Sequence, residues 1–125
     1  MATPEQNQTI TPYLIVKDAT DFLSFVQTVF SATEKYKAMR DDSDIIMHCE
    51  VTIGNSSIMF AQATEQFKPK SAGLFIYVDD ADQTYARALE NGCTSIMPLE
   101  DKEYGRTCGV TDLYDNDWWI TSIKK

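Results

Sequence analysis

Apolar side chains along this chain fall into two rhythms, and the rhythms alternate in the same order twice. From Ile10 to Val16 a short, mostly apolar run reads as a strand, whose successive side chains point to opposite faces. Leu14 and Val16 fall on one side; Thr11, Tyr13 and Ile15 fall on the other. Pro12 has no N–H to give, which suits a strand start or a sheet edge. The rhythm then lengthens. Phe22, Leu23, Phe25, Val26, Val29 and Phe30 recur at helical spacing, which predicts a helix to about Ser31, capped by Asp18 or Thr20. Glu34 to Met39 reads as a charged edge strand. Ile45 to Ile53 alternates most clearly. It sets Met47, Cys49, Val51 and Ile53 on an apolar face and Ile46, His48, Glu50 and Thr52 on the other. Gly54-Asn55 suits a hairpin turn, and Ser57 to Gln62 is the returning strand. The first half thus reads β-α-β-β-β.

Residues 63–72 form a linker, most open at Lys68-Pro69-Lys70-Ser71, and the order then repeats. Leu74 to Val78 is a strand. Asp79 to Glu90 is a helix with Ala81, Tyr85, Ala88 and Leu89 inward, ended by Asn91-Gly92. Thr94 to Leu99 is a strand closed by Pro98, and Glu100 to Glu103 a turn. Tyr104 to Asp112 and Asp117 to Ile123 are the last strands, joined through Asp115-Asn116. The two copies match in detail: Leu14-Ile15-Val16-Lys17-Asp18-Ala19 returns as Ile76-Tyr77-Val78-Asp79-Asp80-Ala81, 62 residues on, half the chain. A repeat of that period predicts two modules built alike, 10–62 and 73–123, in one domain spanning 1–125.

Composition narrows the function classes. The chain has 125 residues, enough to bury a core without disulfides or metals. Cys49, Cys93 and Cys108 are odd in number and lack metal-type spacing, so buried, reduced thiols of a cytoplasmic protein are expected. Met1 to Gln8 is polar and has no apolar core of the signal-peptide kind, and no run approaches a membrane span. A net charge of −8 argues against nucleic acid, whose phosphates are met by Lys and Arg. It is compatible with a cationic ligand, although acidity of this size also serves solubility alone.

Two consecutive β-α-β-β-β modules resemble the vicinal oxygen chelate superfamily of glyoxalases, bleomycin-resistance proteins and extradiol dioxygenases. The resemblance spans residues 10 to 123. Its local marks are Leu74 to Asp80, Glu90-Asn91-Gly92-Cys93, Tyr104-Gly105-Arg106 and the turn Asp112 to Trp118. Met47 to Val51 followed by Ile53-Gly54-Asn55 is similar to the glyoxalase-like branch near the bleomycin-resistance proteins. The resemblance implies an α+β fold in which the two sheets curl into an open cup with helices outside. It also implies a homodimer, and a small-molecule ligand held in the cup. Metal-dependent members carry His, Gln or Glu ligands at four matched positions. Here those positions fall on Thr11, Gly73, Trp119 and the run Ser57-Ile58-Met59-Phe60, none of which suits a divalent ion. No cofactor is therefore expected.

Strand parity gives the cup its residues. Tyr13, Phe75, Tyr77, Tyr104 and Trp119 make an aromatic wall for a flat or amphipathic ligand, unless some of the rings simply fill the cup. Arg106 can grip a carboxylate or phosphate as a fork, or pair with Glu103 or Asp101. His48, the one histidine, shares a strand face with Glu50, and the two are candidates for general acid–base work, for ligands of a displaced metal site, or for a polar pair on a wet face. Two functions follow: a metal-independent protein binding a small organic molecule in an aromatic, acidic cup, or a glyoxalase-type lyase or isomerase using His48 and Glu50.

Overall fold

Two aspartates fix where the helices begin. In the computed structural model, which describes residues 8–123, both are extended at the backbone. Asp18 Oδ1 accepts the Asp21 N–H at 3.0 Å, and Asp80 Oδ1 accepts the Gln83 N–H at 3.1 Å. Each satisfies an amide that the first helical turn leaves without a partner. Around them the order is β1 (Tyr13–Val16), α1 (Ala19–Phe30), β2 (Thr33–Met39), β3 (Ile46–Ile53) and β4 (Ser56–Gln62). It continues with β5 (Gly73–Tyr77), α2 (Ala81–Glu90), β6 (Thr94–Lys102), β7 (Gly105–Thr111) and β8 (Asp117–Ser122).

The chain divides after Lys70 into two compact units. The first holds a four-stranded sheet in the order β1-β4-β3-β2, the second a sheet in the order β5-β8-β7-β6. In each, the outer pair β1–β4 or β5–β8 is parallel and the rest are antiparallel. Neither sheet closes, and the fold is α+β, with the β-α-β-β-β order twice.

Each sheet buries one face under its own helix. On the first, α1 lays Phe22, Phe25, Val26, Val29 and Phe30 over Leu14, Val16, Cys49, Val51 and Phe60, with Phe22 edge-on to Phe60 at 4.8 Å. On the second, Ala81, Thr84 and Ala88 of α2 lie over Cys108, Val110, Trp118 and Ile120. Small residues on α2 leave room for the Trp118 indole, whose Nε1–H donates to Asp112 Oδ2 at 2.7 Å. Asp112 Oδ1 also accepts the Tyr114 and Asn116 N–H groups at 2.8 and 2.9 Å. That carboxylate is the knot of the last turn. Asn116, fully buried, passes the tie onward by accepting the Ala72 N–H at 2.9 Å.

Several sequence expectations are corrected. The first strand starts at Tyr13 rather than Ile10, because Pro12 offers only its carbonyl, which accepts the Met59 N–H. In α2, Leu89 is exposed and Thr84 is buried in its place. Pro98 does not close its strand. Strand β6 is an edge with register breaks between Met97 and Glu100, where a missing N–H costs no ladder bond, and it runs to Lys102. The turn there is Glu103-Tyr104, not Glu100 to Glu103, so Tyr104 precedes β7 instead of opening it.

The largest correction concerns faces. Ala38 pairs with His48 but Met39 pairs with Ile46, so Met47 is an extra residue bulged out of β3. Ile46 therefore turns into the core, 2% exposed, and Met47 turns out, 47% exposed, the reverse of simple alternation. A second bulge at Lys35 puts Glu34 and Lys37 within 3.4 Å of each other, on one side of a strand where three-residue spacing would part them.

Candidate functional site

The face of the first sheet that α1 does not cover carries a cavity of about 330 Å³. Strand β1 supplies Tyr13 and Ile15, and the β3 bulge supplies Met47. Ala61 and Gln62 come from the end of β4. The rest of the lining came from places no periodicity points to: Arg40, just past β2, and Phe67, in the stretch read as linker. That stretch is folded, not open. Thr64 N–H donates to the Phe67 carbonyl at 2.8 Å, Phe67 N–H to Thr64 Oγ1 at 2.9 Å, and Lys70 N–H to the Ile15 carbonyl at 3.0 Å. A lone aromatic in a polar segment was the one available signal for Phe67.

The wall is fixed where it is polar. Gln62 accepts the Ala19 N–H on Oε1 at 2.8 Å and donates from Nε2 to the Lys17 carbonyl at 2.6 Å. Arg40 is held by its backbone: its N–H donates to the Ile45 carbonyl at 2.8 Å, and its own carbonyl accepts the Ser43 N–H at 3.0 Å and the Ser43 hydroxyl. None of the seven lining residues is acidic. The acidic character expected of the ligand site from the net charge is absent from this cavity, because net charge counts carboxylates without placing them.

His48 and Glu50 share the open face but are engaged separately. His48 Nδ1 lies 3.5 Å from the Tyr13 hydroxyl, with the rings 5.6 Å apart, and the Tyr36 ring stands 6.0 Å off. Glu50, buried, meets Lys35 Nζ at 3.1 Å. Tyr13 thus joins His48 to the cavity, while Glu50 belongs to an ion pair with the bulged Lys35.

On the second sheet the open face is aromatic. Phe75 stands 5.2 Å from Tyr77 and 6.3 Å from Tyr104, and all three are exposed. Trp119 pairs with Phe75 on one side and Gly109 on the other, and its indole lies so close over Gly109 that a Cβ there would come within 2.4 Å of it. Arg106 shares its strand parity with the buried Cys108 and Val110, on the helix-covered side. It grips Asp82 of α2 through Nε and Nη2 and reaches Asp101 at 3.3 Å. The Arg106 guanidinium, beside it, holds the Asp82 carboxyl below the usual carboxylate range. The alternative of a paired Arg106 is the one the structure shows, with Asp82 as a partner beside Asp101.

At the four metal-ligand positions the donor set stays unsuitable. Gly73 offers no side chain and has open space where a Cβ would stand, Trp119 offers an indole, and Thr11 and residues 57–60 bring no imidazole or carboxylate. Among the described residues no three His, Cys, Asp or Glu side chains gather. No described helix is long and apolar enough to cross a membrane.

Comparison with known proteins places the chain. The model of the Glyoxalase/Bleomycin resistance protein/Dioxygenase superfamily matches residues 7–120. An uncharacterized protein of Mycobacterium bovis, Mb0911c, is 28% identical over 121 residues, covering 87% of this chain and 79% of its own. Among solved structures, PA1353 from Pseudomonas aeruginosa superposes with a TM-score of 0.76 at 20% identity, covering 95% of this chain and all of its own. TnmS3, an antibiotic binding protein from Streptomyces sp. CB03234, superposes with a TM-score of 0.67 at 15% identity, covering 94% and 98%.

Proposed function

The chain belongs to the glyoxalase/bleomycin resistance protein/dioxygenase superfamily, and from that premise we propose that it is a small-molecule binding protein working without the superfamily's metal. The observation that carries this reading is the cavity on the first sheet. It is largely apolar and aromatic, the Gln62 side chain in it is fixed in place, and it lies on the sheet face opposite the helix. Such hollows bind by burying a ligand's apolar surface, with a few set polar groups choosing its orientation. The unsuitable donor set at the four ligand positions supports the metal-free part. TnmS3, alike in fold, is described as an antibiotic binding protein, which favours an organic ligand of similar kind. Phe75, Tyr77, Tyr104 and Trp119 offer a second aromatic surface for such a ligand, and a cytoplasmic homodimer is the form proposed for the protein.

The test is a thermal-shift screen of aromatic and drug-like compounds against the wild-type protein, Tyr13→Ala and Phe67→Ala. Hits that stabilise the wild type and lose their effect in both variants are expected. Hits indifferent to both substitutions would refute the cavity as the site, and a stoichiometric, chelator-removable divalent ion in the purified protein would refute the metal-free part.

A lyase or isomerase is the second reading, favoured by one contact: His48 Nδ1 reaches the Tyr13 hydroxyl at the cavity's rim. On this reading His48 would move a proton on the bound compound, and Glu50, with Lys35, would hold the local charge. His48→Gln should then abolish turnover with binding nearly intact; unchanged turnover would rule His48 out.

A further inference from the structure

The cavity's one charged member decides what kind of ligand fits. Arg40 lines it beside Tyr13, Ile15, Met47 and Phe67 and is partly buried there. The chain carries 19 acidic residues, and Asp41, Asp42 and Asp44 stand in the same turn. Yet among the described residues no carboxylate lies within ion-pair distance of the Arg40 guanidinium. Arg106, by contrast, has two acidic partners. A guanidinium drawn partly out of water against apolar walls, with no counter-charge, is left uncompensated. Its backbone is pinned by three hydrogen bonds of the turn, so the side chain is presented from a fixed base.

We propose that this cavity binds a compact organic anion, with Arg40 pairing with its carboxylate, sulfonate or phosphate oxygens and the apolar wall holding its body. The inference rests on the reading of the cavity as a ligand site. A planar guanidinium matches an oxyanion with two parallel N–H donors, and its partial burial beside apolar side chains strengthens the pair. At about 330 Å³ the space is near the lower end of small-molecule pockets, which limits the apolar body to roughly one or two rings. The ligand's charge is therefore opposite to the one the chain's net charge of −8 would attract. The same net charge keeps organic anions from adsorbing elsewhere on the surface.

Two fluorescent probes with one aromatic frame test this: anilinonaphthalene sulfonate, which is anionic, and phenylnaphthylamine, which is neutral. Arg40→Gln should weaken the sulfonate by about tenfold and leave the neutral probe within about twofold, the signature of a lost charge-assisted pair. Arg40→Lys, which keeps the charge but not the fork, should fall between. Phe67→Ala should weaken both probes. If Arg40→Gln and Arg40→Lys leave the ratio of the two affinities unchanged while Phe67→Ala weakens both, the anion assignment fails and the cavity reading stands. If neither probe binds, or Phe67→Ala changes nothing, both fail.

Discussion

Arg40 and Arg106 carry the same group and end in different company. Arg106 sits across from Asp101 in the β6–β7 ladder and under Asp82 of α2, so its fork is filled. Arg40 lies past the end of its strand, and among the described residues no carboxylate of its turn comes within ion-pair distance of it. The cysteines show burial acting on chemistry. Desolvation pushes the Cys49 and Cys108 thiols up to about 11 and Cys93 up to about 12, from 9.0. Native protein should thus react slowly with a thiol reagent near neutral pH, and all three thiols should react on unfolding. The sign of the pH effect follows. Above pH 9.0 the unfolded thiols lose protons that the folded ones keep. This contribution to stability is complete below that pH and is lost as pH climbs toward the folded values. The urea midpoint should fall on that alkaline side, less steeply in Cys93→Ala. Glycines separate in the same way. A Cβ on Gly105 (φ +144°) would stand 2.4 Å from the Ser122 carbonyl oxygen, whereas one on Gly109 would meet side chains, the Trp119 ring and Ile96. Backbone yields less than a ring. Gly105→Ala should lower the melting temperature more than Gly109→Ala, which should cost about 1–3 kcal/mol and alter tryptophan fluorescence.

Among the elements, the turn from β7 to β8 depends on one side chain. Asp112 takes the Trp118 indole N–H and two backbone N–H groups while 5% exposed. With the Asn116 Nδ2–H bond at 3.3 Å, four donors lose this acceptor when it is removed. Asp112→Ala should therefore destabilise by about 3 kcal/mol or more, against about 1 kcal/mol for removing a helix cap with Asp18→Ala. Chemical denaturation of the two variants checks the order; equal losses would mean that water takes over the role of the carboxylate. The strands teach the opposite lesson about legibility. Leu14 and Val16 in β1, or Trp118 and Ile120 in β8, lie on the face that alternation assigns. Met47 does not, because a bulge moves the count by one without leaving any mark in the residue types.

At the scale of the molecule, the duplication is literal: one sheet order, one parallel pair and one aspartate-capped helix in each unit. The boundary lies after Lys70, within an exposed run from Glu65 to Ser71. Brief trypsin treatment should cut first after Lys70 and give two fragments of similar size. A first cut inside β2, at Lys35 or Lys37, or inside β7, at Arg106, would count against that boundary. The units also differ in what they leave open: a cavity lined by Arg40 on the first, a cluster of rings on the second.

From the residues alone came the two modules, Asp18 as one of two candidate caps for the first helix, the buried cysteines and the superfamily. These rest on local rules: period two or 3.6, the side-chain oxygen of a cap, a motif read twice. Only the tertiary structure turned Met47 outward, folded Phe67 over the sheet, gave Arg106 its aspartates and left Arg40 without one among the described residues. Those outcomes depend on which distant groups meet. A bulge, a fold-back and an ion pair are each settled by contacts across the sheet, and neither a charge total nor a spacing along the chain carries that information.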